Sequence, residues 1–135
     1  MKPIKLAVVM DDIKDIKPYK DSSLAMMLEA TKRNWEIYTF DTRNMFAKNA
    51  NMFATCAKTQ VFDHAQHWFD KEEKVELPLE SFDVILMRKD PPFDMSYIYA
   101  TYFLEQAEKK GVLVVNKPQS LRDANEKIFA LNFPH

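Results

Sequence analysis

Three short runs in this chain are apolar almost throughout: residues 4–10, 83–87 and 112–115, each ending abruptly at charged or polar residues. A strand that offers apolar side chains to both faces of the pleat is at home only in a parallel sheet covered on both sides. A fourth run, 35–40, is aromatic, β-branched and alternating, which also predicts a strand. Helical patterns separate these runs. Leu24, Met27, Leu28 and Thr31 fall on one helix face, and Ile98, Tyr99, Tyr102, Phe103 and Ala107 form another. The fold expected is α/β: an open, mostly parallel sheet with helices on both faces and right-handed crossovers.

Several boundaries carry their own signals. Asp21-Ser22-Ser23 offers N-cap residues before the first helix, and Asp94 before the second. Asn34 and Gly111 follow basic residues where a left-handed C-cap is expected. Ser120 and Asp123 match a capping box for a last helix. From 41 to about 75 the pattern weakens. A hairpin through 45–47 and 52–61 is expected at or beyond one sheet edge, with Leu77-Pro78-Leu79 as a linker.

The chain has a single glycine, Gly111, in 135 residues, where average usage of about 7% would give around nine. That excludes a GxGxxG fingerprint and a P-loop, so most of any nucleotide site lies outside this segment. With 19 basic and 20 acidic residues the net charge is -1, which gives no electrostatic reason to bind nucleic acid or an anionic membrane. No apolar run approaches the roughly 18 residues of a membrane helix. Cys56 is the only cysteine, so no internal disulfide can form, and a cytoplasmic location is the default. Ile128, Phe129, Leu131 and Phe133 crowd the end of the chain, as in a segment continued by further structure.

Ligands in open α/β sheets bind outside the carboxyl ends of the strands. Three such ends carry charge here: Asp11-Asp12, Arg88-Lys89-Asp90 and Asn116-Lys117. One reading is a receiver domain of two-component signalling, with Asp11-Asp12 holding Mg²⁺ and Lys117 preceding Pro118. Against it, Arg88-Lys89 stand where the phosphoacceptor Asp is needed, and two cations there would compete with the metal. His64 and His67 lie three apart but lack a clear third metal ligand, so no metal site is expected from them. Cys56 has no charged activator nearby and reads as a buried, inert thiol. The Asp21-Ser22-Ser23 amides serve as a helix cap and can also bind a substrate carboxylate.

Four segments together resemble the N-terminal domain of bacterial glutathione synthetase. They are Val8-Val9-Met10-Asp11, Asp21-Ser22-Ser23-Leu24, Met87-Arg88-Lys89-Asp90-Pro91-Pro92-Phe93-Asp94 and Asn116-Lys117-Pro118-Gln119-Ser120-Leu121-Arg122-Asp123. The resemblance implies a pre-ATP-grasp domain over 1–123 and the start of an ATP-grasp region over 124–135. It implies a ligase that joins γ-glutamylcysteine to glycine through an acyl phosphate, with ATP and Mg²⁺ (or Mn²⁺) as cofactors, and a homo-oligomer. The segment alone is expected to be inactive and to hold no catalytic residue or metal ligand. Lys127 matches a lysine that reaches ATP phosphates; its plain alternative is a solvated helix lysine. Arg88 matches an arginine on the peptide-substrate side, the alternative being a fold role with Asp90 or Asp94. Asp11, Ser22 and Ser23 lie at matching strand and helix ends near the cleft. Asn34 stands where glycine is expected, and the Lys48-Asn49-Ala50-Asn51 turn lacks glycine too.

Overall fold

In the computed structural model, which describes residues 2–17, 22–89 and 95–115 (the backbone alone for Ser22, Ser96 and Tyr97), the first apolar run becomes β1 (Lys5–Val9). It pairs in parallel on both edges, with β2 (Glu36–Phe40) and with β6 (Val84–Met87). The parallel set is completed by β7 (Leu113–Val115) beside β6. Alternate residues of β1 feed two cores. Leu6 and Val8 pack with Leu24, Met27 and Ala30 of helix α1 (Ser22–Lys32). Ala7 and Val9 pack with Ala100, Leu104 and Ala107 of helix α2 (Met95–Lys109). One helix therefore covers each face, which is why β1 has to be apolar on both.

Both helices stop as their C-caps predict. Asn34 (φ 62) follows α1, with the Trp35 amide donating to the Ala30 carbonyl and the Asn34 amide to Thr31. Gly111 (φ 99) follows α2, with the Val112 amide donating to Ala107 and the Gly111 amide to Glu108. Each is the paired-bond arrangement of a Schellman motif. Of the three N-cap candidates, Ser22 and Ser23 are the first residues inside α1, and Asp21 lies outside the described residues.

The segment of weak pattern is an antiparallel extension. β3 (Met45–Lys48) and β4 (Asn51–Val61) form the expected hairpin, and β4 joins the sheet beside β2. The far edge of β4 carries β5 (Phe69–Pro78). The seven strands form one sheet in the order β3-β4-β2-β1-β6-β7, with β5 outside β4. Since β4 runs against β2, β3 and β5, it alone among the described strands is reversed. β5 replaces the expected linker: Leu77 and Pro78 are its last residues, paired with Ala54 and Phe53, and the buried Leu79 begins a 3-10 turn. An edge strand buries little, so the stretch from Asp70 to Glu76 is exposed and charged and shows no period-2 apolar signal. The last helix expected from Ser120 lies outside the described residues.

Candidate functional site at the carboxyl ends of the strands

The pairing register sets β1, β2 and β6 level, with Val9 opposite both Phe40 and Met87. The next residues, Met10-Asp11, Asp41 and Arg88-Lys89, therefore leave the sheet side by side. Lys89 spans all three ends. Its ammonium group lies 3.1 Å from the Asp41 carboxylate and also bonds to Asp11. Asp41 is well enclosed, whereas the Asp11 side chain is 60% exposed. Burial pushes the Lys89 pKa down, but the bonds to Asp11 and Asp41 outweigh it and leave it above the ordinary lysine value. Burial likewise pushes Asp41 up; hydrogen bonds from Lys89 and Thr42 outweigh that and hold its carboxyl below the usual range.

Arg88, adjacent in sequence, engages another element. Its amide donates to the Val9 carbonyl at 2.8 Å, which fixes the backbone to β1. Its Nε donates to the Ser23 hydroxyl at 3.2 Å, and Ser23 is buried in the first turn of α1. The structure thus joins two of the residues expected at a site, across 65 positions of sequence.

Beyond Asp11 and Asp41 an open cleft of about 560 Å³ lies between the β1–α1 connection, the β2–β3 connection and strands β4 and β5. Two contacts hold its outer wall. Trp68 Nε1 donates to the Ile13 carbonyl at 2.9 Å, and Lys71 bonds Asp12 at 2.9 Å. Burial raises the Asp12 carboxyl, yet the bonds from Lys71 and the Lys14 amide more than offset it and leave it lowered. Cys56, 1% exposed, lies on the floor, its thiol pushed up to about 11 by burial, which suits an inert thiol and not a nucleophile.

Mg²⁺ does not fit the described residues. No group of three His, Cys, Asp or Glu among them could hold a metal ion. Ammonium groups already stand against Asp11, Asp12 and Asp41. Among the described residues no helix is long and apolar enough to cross a membrane. The receiver reading finds Arg88 and Lys89 at the acceptor position and antiparallel strands where a strand–helix unit is required.

Of the expected site residues, Asp11 lines the cleft, Arg88 and Ser23 lie together beside α1, and Ser22 opens α1. Lys127 falls outside the described residues. Sequence reading placed Lys89 at a charged strand end but did not pair it with Asp11 and Asp41, and it missed Asp41 and Lys71. The available signal was opposite charge on the residues that directly follow adjacent strands. Lys71 gave none, because β5 itself was not recognised.

The chain matches the family described as prokaryotic glutathione synthetase, N-terminal domain, over residues 4–122. It is 52% identical over 131 residues to a protein named glutathione synthetase from Photorhabdus laumondii, covering 97% of this chain and 42% of that protein. A glutathione synthetase of Pseudomonas syringae pv. tomato is 50% identical over 131 residues, 97% of this chain and 41% of the relative. One from Coxiella burnetii is 48% identical over 132 residues, 98% and 41%. The chain spans about two-fifths of the length of these relatives.

Proposed function

Because the chain belongs to the prokaryotic glutathione synthetase N-terminal domain family, we propose that it forms the peptide-substrate wall of an ATP-dependent ligase joining γ-glutamylcysteine to glycine. The observation that carries the reading is Arg88, fixed at the end of β6 by the Val9 carbonyl and the Ser23 hydroxyl. A cation placed there in advance binds a substrate carboxylate without first losing side-chain freedom. Asp11 and the Ser22-Ser23 turn complete that side. Lys127 reaches the ATP phosphates, and the rest of the longer protein supplies Mg²⁺ (or Mn²⁺) ligands and most of the glycine site. Residues 1–123 form the pre-ATP-grasp unit, in keeping with a family match that ends at 122, and 124–135 open the next. The protein works in the cytoplasm as a homo-oligomer.

The test is a longer protein in which this chain is continued by the remainder of the Photorhabdus laumondii relative. It should release ADP only when γ-glutamylcysteine and glycine are both present. ADP release that ignores the dipeptide would contradict the proposal.

A further inference from the structure

β5 contains one irregularity, and it faces the cleft. Ala57 pairs with Lys74 and Thr59 with Lys71, so Lys58 alone opposes both Glu72 and Glu73. This is a β-bulge, with one extra residue on β5. In a regular strand residues three apart point to opposite faces. Across the bulge Lys71 and Lys74 point the same way, because their partners Ala57 and Thr59 are two apart on β4. Both lysines line the cleft. The bulge thus adds a second cation to a wall that would otherwise carry one.

Most of the cleft's charge is already matched. Asp12 is paired with Lys71, Asp41 with Arg43 and Lys89, and Asp11 with Lys89. Two cleft residues remain, Asp15 from the turn after β1 and Lys74 from β5. Among the described residues neither the Asp15 carboxylate nor the Lys74 ammonium group has an ion-pair or side-chain hydrogen-bond partner. The unmatched remainder is one negative and one positive charge lining the same ligand-sized cavity.

We infer that this cleft binds an α-amino-acid head group, with Asp15 taking the ammonium and Lys74 the carboxylate. A simple anion or cation would satisfy one of these charges and be repelled by the other; a zwitterion satisfies both. The inference rests on the peptide-ligase reading for the bearer of that group, the γ-glutamyl end of the dipeptide, but on residues other than Arg88 and Ser23.

The chain is titrated with γ-glutamylcysteine and with glutarylcysteine, which lacks only the α-ammonium, while backbone amides are followed by NMR. Amides around Asp15 and Lys74 should shift with the dipeptide. Asp15→Asn and Lys74→Gln should each weaken binding roughly fivefold, the scale of one solvent-accessible ion pair. Glutarylcysteine should bind the unaltered chain more weakly and lose nothing further in Asp15→Asn, an outcome that a merely structural role for Asp15 would not give. Amide spectra of both variants matching the unaltered chain show that folding is intact. Shifts near Arg88 and Ser23 with none near Asp15 and Lys74 would overturn this inference and leave the Arg88 reading standing. Shifts at Asp15 and Lys74 alone would keep it and remove the role given to Arg88. No shift at either place with millimolar dipeptide would overturn it as well.

Discussion

The Lys89 ammonium group, at the end of β6, lies 3.1 Å from the Asp41 carboxylate beyond β2, reaching across the end of the intervening β1. Through a second pair with Asp11 at the end of β1, this one ammonium group ties three strands at the edge where the site lies. Asp41 in turn closes the turn after β2, where its carboxylate accepts from the Thr42 amide and the Asn44 side chain accepts from the Asp41 amide.

That pair sets the pH limits of stability. The folded Asp41 carboxyl titrates below its ordinary 3.8, so its stabilisation is present above that value and is lost as pH falls through the lower folded one. The folded Lys89 titrates above its ordinary 10.5, so its share is full below 10.5 and is lost as pH rises through the higher folded one. Lys89→Met should cost about 1–2 kcal/mol at pH 7, between surface and buried ion pairs. In urea denaturation that difference should shrink as pH falls below 3.8. A difference independent of pH would contradict the assignment.

The β3–β4 turn holds a correctable strain. Asn49 (φ 51) and Ala50 (φ 65) are both left-handed, the geometry of a two-residue primed hairpin turn. Asn tolerates it; Ala does so at a cost of about 1 kcal/mol. Ala50→Gly should therefore raise the urea midpoint, although glycine also gains freedom in the unfolded chain. A lowered midpoint would mean that the turn is not strained.

Much of this architecture is legible in the residues, and the failures have physical causes. β1, β6 and β7 announce themselves because burial on two faces demands apolar runs and β2 by its aromatic, β-branched alternation, while Asn34 and Gly111 announce the helix ends because few residues accept positive φ. β5 is silent because an exposed edge strand needs charge and not alternation. Arg88 and Ser23 are both expected on the substrate side from sequence, but the bond between them is not, because it joins residues 65 positions apart. The bulge that aligns Lys71 with Lys74 leaves no trace in composition or periodicity, since it is a property of the pairing with β4.

Cys56 offers a direct test of the floor of the cleft. With its pKa raised from 9.0 to about 11, the thiol holds roughly a hundredfold less thiolate at pH 8 than an ordinary cysteine. Burial slows it further. Labelling by a maleimide should be slow in the folded chain and fast in urea. Rapid labelling of the folded chain would show that β4 opens to solvent.

If Arg88 receives the dipeptide as proposed, steady-state kinetics of Arg88→Met in the longer protein should show it. KM for γ-glutamylcysteine should rise at least about tenfold, the loss of one charge-assisted pair, while KM for ATP and for glycine stay unchanged. An unchanged KM for the dipeptide, or a rise confined to ATP, would contradict it.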